Sequence, residues 1–325
     1  MTQGQTAASG VARRGRGGGE RSMVPPGEPR SYYGEPVVAK PVWASEIPVY
    51  FWTGGICGAA LPLSLFASLR GNEPLARRAA AVGLGMGAVS PVLLISDLGR
   101  PSRFLNMLRV FKVTSPMSVG SWILATTGLC ATLTAARELL GLVPRLGRAA
   151  QWATVALGPG LSTYTATLIA NTAVPVWHEA RDELPFVFAA TSAATAGALV
   201  LAVTPPRYAA PARRLTVGGA VLELALLEVM ERRLGPLGAP YHHGRPALLA
   251  RAAKALTAGG ALAVAVCRSG RAAAVGGAAA VLAGGLAERW SIFRAGFASA
   301  EDPRYTVGPQ RDRLVRRGGR PSPPD

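Results

Sequence analysis

The stretch IPVYFWTGGICGAALPLSLFASL, residues 47–69, runs for 23 residues without a charged side chain. As a helix it is about 35 Å long, enough to cross a hydrocarbon core about 30 Å thick. Working outward, residues 117–136, 149–177 and 184–206 are equally free of charge. Residues 79–96 fall slightly short of a span and reach the length when Asp97 is taken as its last residue. Three later segments are interrupted. Residues 215–230 contain Glu223 and Glu228, 247–267 carry Arg251 and Lys254 near their start, and 272–287 are only 16 residues long. Short separations and arginine-flanked ends mark all three as spans as well. The pattern predicts an all-α polytopic membrane protein, with eight transmembrane helices in two four-helix groups, over residues 46–296.

Composition agrees with a bilayer as solvent. The chain is 49% hydrophobic and only 16% charged, whereas a soluble domain carries about 25% charged residues. A net charge of +17 invites a nucleic-acid reading. The cations, all but three of them arginine, instead sit in short groups between uncharged runs and form no continuous basic face, so nucleic acid is excluded as a partner. Their excess on the side of the two tails predicts cytoplasmic termini for a multi-pass protein of the cytoplasmic membrane.

Residues 1–45 are rich in Gly, Arg and Pro and cannot bury enough surface to fold alone, which predicts disorder. Arg13–Arg14 is followed by no short apolar region and so reads as no export signal. Residues 297–325 form a second polar, basic tail. Within the spans, Gly54–Gly58 and Gly83–Gly87 are small-xxx-small pairs that let helix backbones approach closely. The second pair lacks the strand and acidic residue of a dinucleotide loop.

Cysteine and histidine limit the cofactors. Cys57, Cys130 and Cys267 lie in three different spans with no CxxC, and His178, His242 and His243 sit near helix ends or in loops. The usual ligand spacing for a zinc site, an iron–sulfur cluster or a haem is missing. The expectation is a chain with no bound metal or haem, whose redox role would use electron carriers held elsewhere.

Eight spans put residues 43–46, 97–103, 115–121 and 177–182 on one membrane face, and simple arginine-flanked turns (70–78 and 137–148) on the other. One end of the first four helices therefore reads as a site. In the fourth span Tyr164, Asn171 and His178 recur every seven residues, close to one helix face. Pro175 can open that helix near its polar end. Each residue also has a structural reading. Glu46 can favour the positive end of the first helix with Ser45 as cap. Asp97 and Arg100 can pair at a helix terminus, Tyr164 and Asn171 can bond neighbouring helices, and His178 can sit at the interface without a ligand. Glu228 is placed to pair with Arg232. Glu223 has no such partner and is a proton-relay candidate. His242 and His243 read as surface residues.

Four ordered motifs, SYYGEPVVAKPVWASEIPVYFWTGGICG, DLGRPSRFLNMLRVFKVTSPMSVGSW, TAVPVWHEARDELPFVF and ERWSIFRAGFASAEDPRYTVGPQRDR, resemble the NrfD/PsrC family over residues 31–314. These are the membrane subunits of polysulfide-reductase-type complexes. The resemblance implies an eight-helix subunit that exchanges electrons between menaquinone or its quinol, as exchangeable substrate, and a [4Fe–4S] ferredoxin-like subunit. That subunit in turn connects to a molybdopterin (Mo or W) catalytic subunit. It implies a quinone pocket among the first four helices, contacted by Glu46, Asp97, Arg100, Tyr164 and His178. Family members can place Asn and His near the start of the first helix, where this chain has Glu46 and Val49, so Glu46 would supply the polar contact. Quinol oxidation releases two protons, for which Glu46, Asp97 and Glu223 are the candidate acceptors. Arg103, Arg109 and Lys112 offer a docking surface for an acidic partner. Two competing readings are a proton-coupled secondary transporter, with Glu223 and Asp97 as its ion-site residues, and a bare membrane anchor. No paired half-sequences with matching interrupted helices support transport.

Overall fold

The computed structural model describes residues 36–316, apart from 42, 99 and 267–269. The described residues form helices and connections with no strand. In chain order the helices are α1 (Glu46–Leu69), α2 (Glu73–Asp97), α3 (Phe104–Met107), α4 (Pro116–Leu140), α5 (Pro144–Ala170) and α6 (Pro175–Glu179). They continue as α7 (Leu184–Val203), α8 (Ala210–Leu234), α9 (Gly244–Val266), α10 (Arg271–Glu301) and α11 (Arg304–Arg316). Eight of these are long. Proline stands in the first turn of α2, α4, α5, α7 and α8, where its missing N–H has no helical partner to lose. Asn72 accepts the Leu75 N–H at 3.3 Å and Ser115 accepts the Ser118 N–H at 3.4 Å, which caps α2 and α4. Gly141 closes α4 at φ 70°, a left-handed position that glycine takes without strain.

The long helices pack as two groups. Helices α1, α2, α4 and α5 contact one another, as do α7, α8, α9 and α10, and α1 and α7 join the groups. These two are also the most enclosed of the apolar helices. Backbone contact makes the packing tight. A methyl group at Gly58 would overlap the Gly158 carbonyl oxygen and the reverse, so α1 and α5 meet with nothing between them. Large apolar side chains such as Val92, Leu129, Leu222 and Leu262 point outward, which is costly in water and favourable in lipid.

Among the described residues five helices are long and apolar enough to cross a membrane: α1, α2, α4, α7 and α9. This set differs from the charge-free runs of the sequence. Helix α9 qualifies although Arg251 and Lys254 lie in it. Helix α5 does not, because Gln151 and the hydroxyl side chains between Thr154 and Thr167 lower its mean hydropathy.

The fourth span departs most from expectation. Helix α5 stops at Ala170, and α6 begins only at Pro175. Val174 is extended (ψ 117°), the conformation favoured before proline. Thr172 stabilises the break, donating to the Ile169 carbonyl at 2.9 Å and accepting the Val174 N–H at 3.4 Å. Tyr164, Asn171 and His178 therefore do not share one helix face.

At the expected tail boundaries, α10 runs to Glu301 and α11 follows it. At the other end residues 36–41 and 43–45 lie without regular structure against the helices, where Lys40 pairs with Glu301 at 2.5 Å. The disorder expected for residues 1–45 otherwise lies outside the described residues, as does Cys267.

Candidate functional site

Helices α1 to α5 converge on a cleft at one end of the first helix group. Its walls come from Trp43, from Ile47, Tyr50 and Phe51 of α1, and from Leu94, Asp97 and Leu98 around the end of α2. Met107 of α3, Met117 and Ser121 of α4, and Tyr164 and Leu168 of α5 complete it. The lining is largely apolar with a few polar groups, the usual character of a small-molecule site.

Asp97 is the last residue of α2. Its Oδ1 accepts the Ala44 N–H at 3.0 Å, which ties the chain before α1 to the end of α2. Among the described residues Oδ2 has no partner. Arg100 does not pair with Asp97; it is exposed in the turn beyond. Tyr164 leans against Gly120 of α4, where any side chain would overlap its ring. Its hydroxyl has no hydrogen bond among the described residues. Tyr50 is 2% exposed and its hydroxyl has no partner either. A buried hydroxyl without a partner is uncommon and points to a missing ligand or water. Sequence reasoning missed Tyr50. The available signal was its position one helical turn beyond Glu46 on an otherwise apolar helix.

Trp43 shapes the mouth and links it to the second group. It stacks on Trp177 with ring centroids 5.6 Å apart and planes at 17°. Trp177 donates its indole N–H to the Ile292 carbonyl of α10 at 2.8 Å. The wall of the cleft is thus anchored in α10.

The remaining predicted residues lie elsewhere. Glu46 starts α1, half-buried beside the lining residue Ile47, and accepts from Ser45 Oγ at 3.4 Å; Ser45 makes no capping bond. His178, exposed on α6, borders a different depression with Thr172, Glu179 and Tyr305. Arg103, Arg109 and Lys112 are exposed on the connection from α2 to α4. That connection is held by Ser118, which accepts the Lys112 N–H at 3.0 Å and donates to the Val110 carbonyl at 2.9 Å. Glu228 pairs with Arg232 at 2.8 Å. Glu223 is buried in the second helix group, away from the cleft.

Fold and cleft together define a multi-pass helical membrane protein with a largely apolar cleft at one end of its bundle. The family model for the polysulphide reductase NrfD matches residues 35–230, more than half of the chain. The chain belongs to the NrfD polysulphide reductase family, and membership implies a membrane subunit of quinone-interacting oxidoreductase complexes. No curated protein matches it.

Proposed function

We propose that this subunit exchanges electrons between quinone or menaquinol and a [4Fe–4S] ferredoxin-like partner linked to a molybdopterin-type catalytic subunit. All eight long helices cross the cytoplasmic membrane in this reading, with both termini on the cytoplasmic side. The quinone head group occupies the cleft between α1, α2, α4 and α5. The observation that carries the reading is the convergence there of one carboxylate and two unpartnered hydroxyls, Asp97, Tyr50 and Tyr164, in an apolar enclosure.

The chemistry follows from the groups. Oxidation of a quinol breaks two O–H bonds and releases two protons and two electrons, the electrons leaving toward the partner. Tyr50 and Tyr164 can orient the quinone oxygens by hydrogen bonds, and Asp97 can take a proton from the quinol hydroxyl through its free oxygen. Glu46, next to the lining, passes protons outward, and Arg100 gives the mouth a positive charge. His178 is assigned to the partner-facing surface, since it opens onto another depression. Arg103, Arg109 and Lys112 receive the acidic face of the partner.

The test is quinone-linked turnover in the assembled complex. Tyr164→Phe keeps the ring and removes one hydroxyl, a loss of roughly 1–3 kcal/mol, or about 5- to 150-fold. Asp97→Asn removes the charge at nearly constant shape. Both variants should lose turnover while reduction of an artificial acceptor by the partner continues. Normal quinone kinetics in both would move the site elsewhere.

A further inference from the structure

The second helix group holds three ionisable side chains that the cleft does not use. Glu223 of α8 is 1% exposed, Glu288 of α10 is 2% exposed and Arg289 of α10 is 1% exposed. Groups of this kind inside a membrane bundle are costly and are usually functional. Arg289 donates from Nη1 to Glu288 Oε2 at 2.9 Å and from Nη2 to the Phe188 carbonyl at 3.0 Å. Its guanidinium also lies over the Phe188 ring at 3.6 Å. Glu288 and Arg289 are therefore an ion pair of zero net charge, with Glu288 Oε1 and Arg289 Nε left over.

Glu223 has no such partner. Neither of its oxygens takes a hydrogen bond, although Glu288, Arg289, Thr191 and Thr257 all face it. Thr191 has spent its one hydroxyl proton on the Val187 carbonyl at 3.0 Å. It can offer Glu223 only a lone pair, which suits a protonated carboxyl group, whereas the unspent Thr257 hydroxyl can donate to the carboxyl in either state. Charge balance gives the same answer. With Glu223 ionised the cluster carries one uncompensated buried negative charge; with Glu223 protonated it carries none.

Further polar groups lie between this acid and the end of α8 that carries Glu231. Glu231, on the last turn of α8, pairs with Lys254 of α9 at 2.7 Å. Tyr241, buried with its hydroxyl unpartnered, lies on the connection from α8 to α9, which packs against α8, α9 and α10, within electrostatic reach of Glu231 and Glu288. Beyond Glu288 come Arg289 and Glu223, midway along α8. The unpartnered atoms of Tyr241, Thr257, Glu288 (Oε1) and Arg289 (Nε) all belong to this set. They are the sites that enclosed water would satisfy.

We propose that Glu223 is a proton-carrying acid at the inner end of a hydrated path that enters by Glu231 and Tyr241 and passes Glu288. On discharge the Glu223 O–H bond breaks, its electron pair stays on the carboxylate, and the proton leaves through water and the Tyr241 hydroxyl. Recharging reverses the step. The inference rests on packing in α7 to α10 and holds whether or not quinone binds in the cleft.

Infrared difference spectroscopy on native-membrane vesicles, in H2O against D2O and without quinone, tests it. The wild type should show the carbonyl band of one protonated carboxylic acid that shifts on deuteration, and Glu223→Gln should abolish it. Tyr241→Phe leaves every carboxyl group in place and so tests the path even if Glu223→Gln fails to assemble. It should keep the band but slow its exchange by about hundredfold or more, the order of one lost proton-transfer group. No deuterium-sensitive band in the wild type, an unchanged band in Glu223→Gln, or wild-type exchange in Tyr241→Phe would overturn the proposal. Any of these would leave the quinone reading standing, because that reading is tested by turnover.

Discussion

Tyr50 separates a functional role from a structural one at a single atom. Its hydroxyl is buried at the cleft without a partner, so the fold gains nothing from it. Removing an unsatisfied buried hydroxyl is neutral or stabilising, whereas removing one that bonds a ligand costs that bond. Tyr50→Phe is therefore expected to leave the thermal midpoint of the complex unchanged or raised. Quinone-linked turnover should fall by about 5-fold or more, the effect of roughly 1 kcal/mol. Thermal unfolding and turnover on the same preparation check both halves; a lowered midpoint with normal turnover would make Tyr50 a packing residue. Asp97 was legible as a charge at the end of a greasy run, and Tyr164 as a polar residue recurring with Asn171 and His178. Tyr50 was not, because an aromatic residue on an apolar helix looks like core until the free hydroxyl is seen. The neighbours of Glu223 were hidden for a related reason: Glu288 and Arg289 are adjacent in sequence, and a neighbouring opposite pair on a helix reads as a solvated one.

The charge-free run 47–69 contains nearly all of α1, and Asp97 ends α2 as expected. Apolar runs understate the rest: α2 begins at Glu73 behind the Asn72 cap, before the run 79–96, and α4 continues past residue 136 to Leu140, where Gly141 closes it. Hydropathy could not show the break between α5 and α6. Residues 171–174 are uncharged, and the bend depends on Val174 before Pro175 and on the Thr172 hydroxyl. The seven-residue stripe was drawn through that bend. Close packing, by contrast, was visible in the glycines. Gly58 and Gly158 put the α1 and α5 backbones in contact, and neither helix can retreat without opening the wall that holds Tyr50 and Tyr164. Gly58→Leu should separate them and cost about 1–3 kcal/mol of stability by overpacking. Turnover should fall together with assembly, whereas Gly85→Ala on α2, where a methyl group meets nothing within 4 Å, should be silent. Detergent-resistant assembly of the two variants against wild type gives the comparison.

At the scale of the whole molecule, polar contacts sort the connections into two sets, and this sorting makes the topology testable. On one side Ala44 bonds Asp97, Lys40 pairs with Glu301, and Arg233 pairs with Asp182 at 2.9 Å and also with Glu183. On the other, Asn72 donates to the Tyr208 carbonyl at 2.9 Å, Arg77 to the Glu138 carbonyl at 2.8 Å and Arg78 to the Val203 carbonyl at 2.8 Å. Each set joins connections that are two helices apart or an even number further, as an alternating eight-span bundle requires. If any of α5, α8 and α10 failed to cross, these bonded partners would have to lie on opposite sides of the membrane. Single cysteines at Ala39, Arg103 and Arg304, introduced where Cys57, Cys130 and Cys267 are alanine, should all react with an impermeant maleimide from one side. Cysteines at Gly71, Leu142 and Gly270 should react only from the other. Labelling of Gly71 and Gly270 from opposite sides would show that a long helix between them stays out of the bilayer. With the first set on the cytoplasmic side, Arg103, Arg109 and Lys112 face a cytoplasmic partner. Their replacement by glutamate should then weaken its attachment, and the loss should shrink as ionic strength rises and screens the charges.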